Sequence, residues 1–211
     1  MTVLTILFFL MPAIVVTIKG LWKDKFLKLF GIYGILAAAI NFLDLFKIPF
    51  VYIESLNVVY NMIDIPLVIF ILYQITRNRL VRKMMQYSMV LYAVWQIYSL
   101  IQFGLKYDSM KYTLGFGIIL IIIFTAFLLS TYVRRMELTK IHIAHMILLG
   151  SLLFNYGSFV IIYIFDYYVE DYNAADNLFL YYISSIVSML MVTAGLFVWD
   201  KLQVPAKVNI R

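Results

Sequence analysis

The chain has 211 residues, of which 64% are hydrophobic and 13% are charged. A water-soluble domain cannot bury so much apolar surface, so the composition indicates an integral membrane protein. The absence of cysteine excludes disulfides, thiolate nucleophiles and cysteine-bound metals. The formal net charge of +6 does not predict nucleic-acid binding, because the basic residues are placed as membrane topology requires.

Seven apolar segments are long enough to cross a hydrocarbon core of about 30 Å, which takes about 20 helical residues. We predict transmembrane helices near Thr2–Ile18, Phe26–Phe46, Leu56–Thr76, Met84–Gly104, Thr113–Val133, Ile141–Phe165 and Leu178–Trp199. Short connections leave no room for a soluble domain. The prediction is therefore an all-α, polytopic seven-helix bundle that forms one domain over residues 1–211 within a lipid bilayer.

Basic residues are concentrated in alternate connections. Four segments hold 14 of the 17 Lys and Arg residues, and they are Lys19–Lys28, Arg77–Lys83, Arg134–Lys140 and the tail after Trp199. By the positive-inside rule, the N-terminus is expected outside and the C-terminus in the cytoplasm of a bacterial inner membrane. Basic residues follow the first segment rather than precede it, so we expect an uncleaved helix and not a signal peptide.

The third segment carries an aspartate inside its apolar run, about 12 Å from its outer end at 1.5 Å per residue. Asn57, Tyr60, Asn61 and Asp64 are spaced i, i+3, i+4 and i+7, so they form a single helical stripe. Ionisable residues inside a membrane are costly and are usually functional. Pro66 follows two residues later and could open space beside Asp64 through a kink.

Four other segments also place polar residues in their outer halves. We predict that all five contribute to an outward-facing pocket for a small ligand, lined by Asn41, Asp44, Asn57, Tyr60, Asn61, Asp64, Trp95, Gln96, Asn155, Ser184 and Ser188. The alternative is that these groups only form hydrogen bonds between neighbouring helices. The outer halves contain no Lys or Arg, so we expect Asp64 to be protonated or to face donors such as Asn61, Asn155 or Ser188.

Other kinds of site have weaker support. His142 and His145 are the two histidines, and both lie at the cytoplasmic end, opposite to Asp64. Zinc-dependent membrane hydrolases of the alkaline-ceramidase and adiponectin-receptor type combine such residues in one site, so this separation argues against a metal. No cofactor is predicted. Microbial rhodopsins share the seven-helix plan, but the last segment lacks the lysine that binds retinal.

Three stretches carry a closer resemblance: VVYNMIDIPLVIFILYQITRNR, FLLSTYVRRMEL and LLGSLLFNYGSFVIIYIF. They resemble a family of small, uncharacterised bacterial seven-helix membrane proteins. Tyr60, Asn61, Asp64 and Gly157–Phe159 match its pattern, with Asp64 standing where glutamate is more usual. The resemblance implies no established activity. It implies a link to signalling only because some members are encoded near sensor kinases.

The sequence therefore favours a protein that senses or binds a small ligand and signals through a cytoplasmic or membrane partner. The first alternative is a transporter or proton-coupled carrier that uses Asp64. A third is a membrane-embedded hydrolase, for which we find neither a nucleophile with its base nor any GxSxG, HExxH or phosphate-loop motif. We expect a function other than catalysis, and no nucleic-acid partner.

The distribution of basic residues makes a direct prediction about topology. A reporter enzyme that is active only in the cytoplasm should be active when it is fused after Arg211. A phosphatase reporter that requires the periplasm should be inactive at the same position. Periplasmic activity at the C-terminus would overturn both the helix count and the orientation.

Overall fold

The computed structural model describes residues 1–43, 45–46, 48–135, 139–169 and 174–199. Over these residues the fold is all-α and contains no strand, as predicted. Seven helices follow one another: α1 Thr2–Ile18, α2 Lys25–Leu43, α3 Phe50–Ile75, α4 Arg79–Phe103, α5 Thr113–Arg134, α6 Lys140–Tyr168 and α7 Ala174–Val198. Short 3₁₀ turns, Leu21–Lys23 and Tyr107–Met110, lie in the connections after α1 and α4.

Five of the described helical stretches are long and apolar enough to cross a membrane: Lys25–Leu43, Val51–Ile75, Tyr107–Arg134, Lys140–Tyr168 and Asn177–Val198. The first helix, with 17 residues, is apolar but shorter. The fourth is longer but interrupts its apolar run with Tyr, Gln and Ser residues. Large apolar side chains are exposed around the bundle, among them Leu7, Val90, Ile101 and Ile123. An apolar outer surface suits a lipid environment.

Several helices begin or end away from the predicted boundaries, because apolar segments mark the membrane core and not the ends of helices. Helix α3 begins at Phe50 instead of Leu56, directly after Pro49. Helix α4 begins at Arg79 because the side chain of Asn78 accepts hydrogen bonds from the backbone N–H groups of Leu80 and Val81. Helix α2 ends at Leu43, and Asp44 lies outside the described residues.

The main helix contacts form a closed ring in the order α1, α2, α3, α5, α6 and α7, with α7 packed back against α1. Helix α4 lies outside the ring and packs against α3 and α5. Side chains directed away from lipid by these six helices therefore meet near the axis of the bundle. A residue at the middle of α3 can thus approach α6 through its side chain without a close backbone contact.

Close approach of α1 and α2 depends on a glycine. A methyl group added at Gly34 would meet the backbone carbonyl oxygen of Phe9, which cannot move aside as a side chain can.

The C-terminal end of α1 is joined to α7 by Lys19. Its ammonium group donates hydrogen bonds to the carbonyl oxygens of Leu196, Phe197 and Trp199. A cation at the C-terminal end of a helix satisfies carbonyl groups that lack helical partners.

The bundle is apolar and tightly packed on the side of Asp64 that leads toward the basic connections. Ile65, Val68, Ile69, Ile71 and Leu72 on α3 are all fully buried. Helix α3 continues across Pro66 as one element. The polar part of α3 is thus separated from the basic end of the bundle by several turns of closely packed aliphatic side chains.

Candidate functional site

Asp64 lies inside the ring of helices and is only 4% exposed. One oxygen of its carboxyl group, Oδ2, accepts a hydrogen bond of 2.6 Å from the hydroxyl group of Tyr156 on α6. This contact links α3 to α6 across the bundle. The short distance is typical of a hydroxyl donating to a carboxyl oxygen.

Tyrosines from four helices interact with this carboxyl group. The hydroxyl groups of Tyr33 on α2, Tyr60 on α3, Tyr92 on α4 and Tyr156 on α6 all lie within electrostatic range of Asp64. All but the half-buried Tyr60 are almost completely buried. We call these four tyrosines, together with Asp64 and Asn155, the Asp64 cluster.

Asn155 joins the cluster through Tyr33. Its side-chain N–H group donates to the hydroxyl group of Tyr33 at 3.2 Å, and Asn155 is 2% exposed. Asn155 and Tyr156 are consecutive residues of α6, and each contacts a different helix across the bundle. Helix α6 is therefore hydrogen-bonded both to α2 and to α3 at the same level of the bundle.

Two oxygen atoms of the cluster have no hydrogen-bond partner among the described residues. They are Oδ1 of Asp64 and Oδ1 of Asn155, and both are buried. An unpartnered buried acceptor costs free energy of about 1–3 kcal/mol, more when the group is charged. The cluster therefore has unused acceptor capacity, and the groups that could satisfy it are hydrogen-bond donors.

The other predicted residues of α3 face the connection between α4 and α5. The side-chain N–H group of Asn57 donates to the hydroxyl group of Tyr107 at 2.9 Å. Asn61 donates back to the carbonyl oxygen of Asn57, and Tyr92 donates to the carbonyl oxygen of Asn61 at 3.4 Å. Asn57 and Asn61 therefore form the layer between the Asp64 cluster and the N-terminal end of α3.

Asn41 and the serines of α7 lie on the opposite side of the ring. Asn41 is 3% exposed and donates to the carbonyl oxygen of Ala37 and to the hydroxyl group of Tyr181 on α7. Ser188 donates to the carbonyl oxygen of Ser151, which ties α7 to α6. Ser184 is buried as well. These contacts are hydrogen bonds between or within helices, as the alternative hypothesis describes.

The two predicted residues of α4 point in different directions. Trp95 is 39% exposed and packs against Phe116 on the outside of the bundle. Gln96 is 1% exposed, and neither atom of its amide has a hydrogen-bond partner in the described part of the chain. The structure therefore does not bring Trp95 to the Asp64 cluster, whereas Gln96 lies inside, one turn along α4 from Tyr92.

Sequence reasoning missed Tyr33 and Tyr156 because it chose residues of α2 and α6 by their Asn, Asp and Ser side chains and not by their tyrosines. It expected donors such as Asn61, Asn155 or Ser188 to face Asp64, but in the structure the donor is Tyr156. The positions of both tyrosines relative to predicted site residues could have indicated them. Tyr33 is two helical turns from Asn41 on one face of α2, and Tyr156 directly follows Asn155.

The histidines lie far from this cluster. The Nε2 atom of His142 is 2.8 Å from the carbonyl oxygen of Tyr132, and the Nδ1 atom of His145 is 2.8 Å from that of Ile141. The ring of His145 stacks on Phe26 and on Tyr132. Within the described residues, no three His, Asp or Glu side chains form a group that could hold a metal ion.

Comparison with protein-family models, with curated proteins and with solved structures finds no match to this chain. The resemblance to uncharacterised seven-helix proteins stays a prediction.

The hydrogen bond from Tyr156 predicts different outcomes for two substitutions at Asp64. Asp64→Asn keeps an oxygen that can accept from Tyr156, so the stability of the detergent-solubilised protein should change by less than about 1 kcal/mol. Asp64→Leu leaves the Tyr156 hydroxyl buried without an acceptor, and should lower the free energy of unfolding by about 1–3 kcal/mol. Reversible unfolding followed by circular dichroism measures both.

Thr125→Val provides the matched control for this pair. The hydroxyl group of Thr125 is fully buried and has no partner among the described residues, so its replacement by a methyl group should be neutral or stabilising. If Asp64→Leu proves as stable as the parent protein, Tyr156 does not depend on Asp64.

Proposed function

We propose that this chain is a seven-span protein of a bacterial inner membrane that binds a small ligand at the Asp64 cluster and passes the binding event to a partner protein. Its N-terminus is outside and its C-terminus is cytoplasmic in this proposal. The distribution of basic residues supports the orientation. The observation that carries the binding function is the buried carboxyl group with an unpartnered oxygen.

The unsatisfied atoms define the chemistry of the ligand. Oδ1 of Asn155 is an acceptor, and so is Oδ1 of Asp64 when its carboxyl group is ionised, so a ligand that meets both must offer hydrogen-bond donors. A protonated amine fits best, because its charge would be balanced by the Asp64 carboxylate. The rings of Tyr33, Tyr60 and Tyr156 also offer aromatic surfaces, which attract ammonium groups.

The site is closed by packed helices, so ligand binding must displace them. Asp64 is 4% exposed and Asn155 is 2% exposed. A ligand inserted between Asp64 and Asn155 would compete with the contacts that hold α6 to α2 and α3. In this proposal, the separation of these helices is the signal.

Two helices extend this effect to the basic end of the bundle. Asp64 is about 16 Å from the C-terminal end of α3 at Ile75, at 1.5 Å per residue. Tyr156 is about the same distance from His145 near the start of α6. A relative movement of α3 and α6 at the cluster would therefore change the arrangement of the basic connections, where a cytoplasmic partner can bind.

A simple alkylammonium ion tests this proposal. Ethylammonium should raise the thermal midpoint of the protein in nanodiscs by a few degrees, since ligand at about ten times its Kd stabilises by about 1.4 kcal/mol. Tetramethylammonium, which has the charge but no N–H donor, should give a smaller shift. Acetate should give none.

Asp64→Asn should abolish the ethylammonium shift, whereas Thr125→Val should retain it. Equal shifts in the parent protein and Asp64→Asn would refute binding at the cluster. The same samples in proteoliposomes distinguish a receptor from a carrier, and we expect no flux of labelled ethylammonium. Saturable uptake that Asp64→Asn abolishes would establish the carrier instead.

A further inference from the structure

A cavity of about 580 Å³ opens at the basic end of the bundle, far from the Asp64 cluster. Its volume lies within the range of about 300–1,000 Å³ that is usual for small-molecule sites. Residues from the ends of α2, α3, α4, α5, α6 and α7 line it. The cavity is thus formed by the assembly of the helices and not by any single connection.

Three cationic side chains line this cavity: Lys25 at the start of α2, Arg77 after α3, and Arg82 on α4. All three are exposed. None forms an ion pair with a carboxylate among the residues that the structure describes. Arg82 packs its guanidinium group over the ring of Tyr73 at 4.3 Å, which positions the group and leaves its N–H donors available.

The acidic residue that lines the cavity is Asp24, which stabilises the start of α2. Its Oδ1 atom accepts hydrogen bonds from the backbone N–H groups of Phe26 and Leu27 and so caps α2. Three cations and one carboxylate leave a local charge of +2 when His145 is neutral. A phosphate monoester carries about −1.5 to −2 charges at pH 7 and would balance it.

One wall of the cavity is aromatic. Phe26, Tyr132, His145 and Trp199 line it, with the ring of His145 stacked on Phe26 and Tyr132 and edge-on to Trp199 at 5.0 Å. The site therefore combines guanidinium groups, which bind phosphate through paired hydrogen bonds, with an apolar surface for the group that the phosphate is attached to.

We infer that this cavity binds a phosphate monoester attached to an apolar or aromatic group. The same chemistry is offered by a lipid with a terminal phosphate, such as phosphatidic acid, and by a soluble organic phosphate. The inference is independent of the ligand proposed for the Asp64 cluster, because it rests on different residues at the other end of the bundle.

Trp199 provides a reporter inside the cavity. The chain has three tryptophans, and Trp22→Phe with Trp95→Phe leaves only Trp199. In phosphatidylcholine nanodiscs, phenyl phosphate should change Trp199 fluorescence with saturation. Binding of radiolabelled phenyl phosphate by equilibrium dialysis measures the same interaction without depending on fluorescence. Phosphatidic acid added to the nanodisc should change the fluorescence if the source is lipid.

Two double variants remove two positive charges each. Arg77→Gln with Arg82→Gln removes cations that line the cavity and should weaken phosphate binding by about tenfold or more. Arg79→Gln with Lys83→Gln removes exposed cations from the same stretch that do not line the cavity, and should change the affinity by less than about threefold. Size-exclusion profiles and circular dichroism establish whether each variant is folded.

The measurements with phenyl phosphate and with phosphatidic acid distinguish a soluble ligand from a lipid. Saturable binding of phenyl phosphate supports a soluble ligand, and a response restricted to phosphatidic acid supports a lipid. Equal weakening by the two double variants would mean general attraction to a basic surface and would overturn the inference. So would the absence of any binding by the parent protein. If the cavity variant does not fold, Lys25→Gln, which should weaken binding by about fivefold or more, takes its place.

Discussion

The arrangement of this bundle depends on how a buried carboxyl group is satisfied without a cation. Asp64 sits inside the ring of helices, and within the described residues it forms no ion pair. Among these residues, the neutral hydroxyl group of Tyr156 donates a hydrogen bond to it. An isolated charge in apolar surroundings is strongly unfavourable, so neutral donors must be brought from other helices. Tyrosine suits this task because its hydroxyl group stands at the end of a long rigid ring and reaches across the bundle axis.

The same requirement explains the position of several helices. Tyr156 extends from α6 to Asp64 on α3, and Tyr33 extends from α2 to Asn155 on α6. The backbones of α3 and α6 are joined here by side chains and not by close packing. Small changes in these polar contacts can therefore move the helices, whereas the apolar layer below Asp64 resists such movement because it is densely packed. In the function proposed above, the ligand acts on this polar layer.

The sequence predicted the all-α fold and seven helices because apolar segments of about 20 residues have few other structural solutions. It also identified Asp64 and the polar face of α3 from spacing alone. It could not show that Trp95 is directed outward, because a stripe on α4 is compatible with either face until the neighbouring helices are placed. It also missed Tyr33 and Tyr156, since the reach of a long side chain across a bundle depends on tertiary packing. The cavity at the basic end had no sequence signal beyond the basic residues that topology already explained.

The link between Asp64 and Tyr156 is the central claim, and a double-mutant cycle measures it most directly. The cycle combines Tyr156→Phe with Asp64→Leu and follows the free energy of unfolding in detergent. If the hydrogen bond joins α3 to α6, Tyr156→Phe should destabilise the parent protein but be neutral or stabilising in the Asp64→Leu background, where it removes a hydroxyl group without an acceptor, giving a coupling energy of at least about 1 kcal/mol. Effects of the two substitutions that add within about 0.3 kcal/mol would contradict the account.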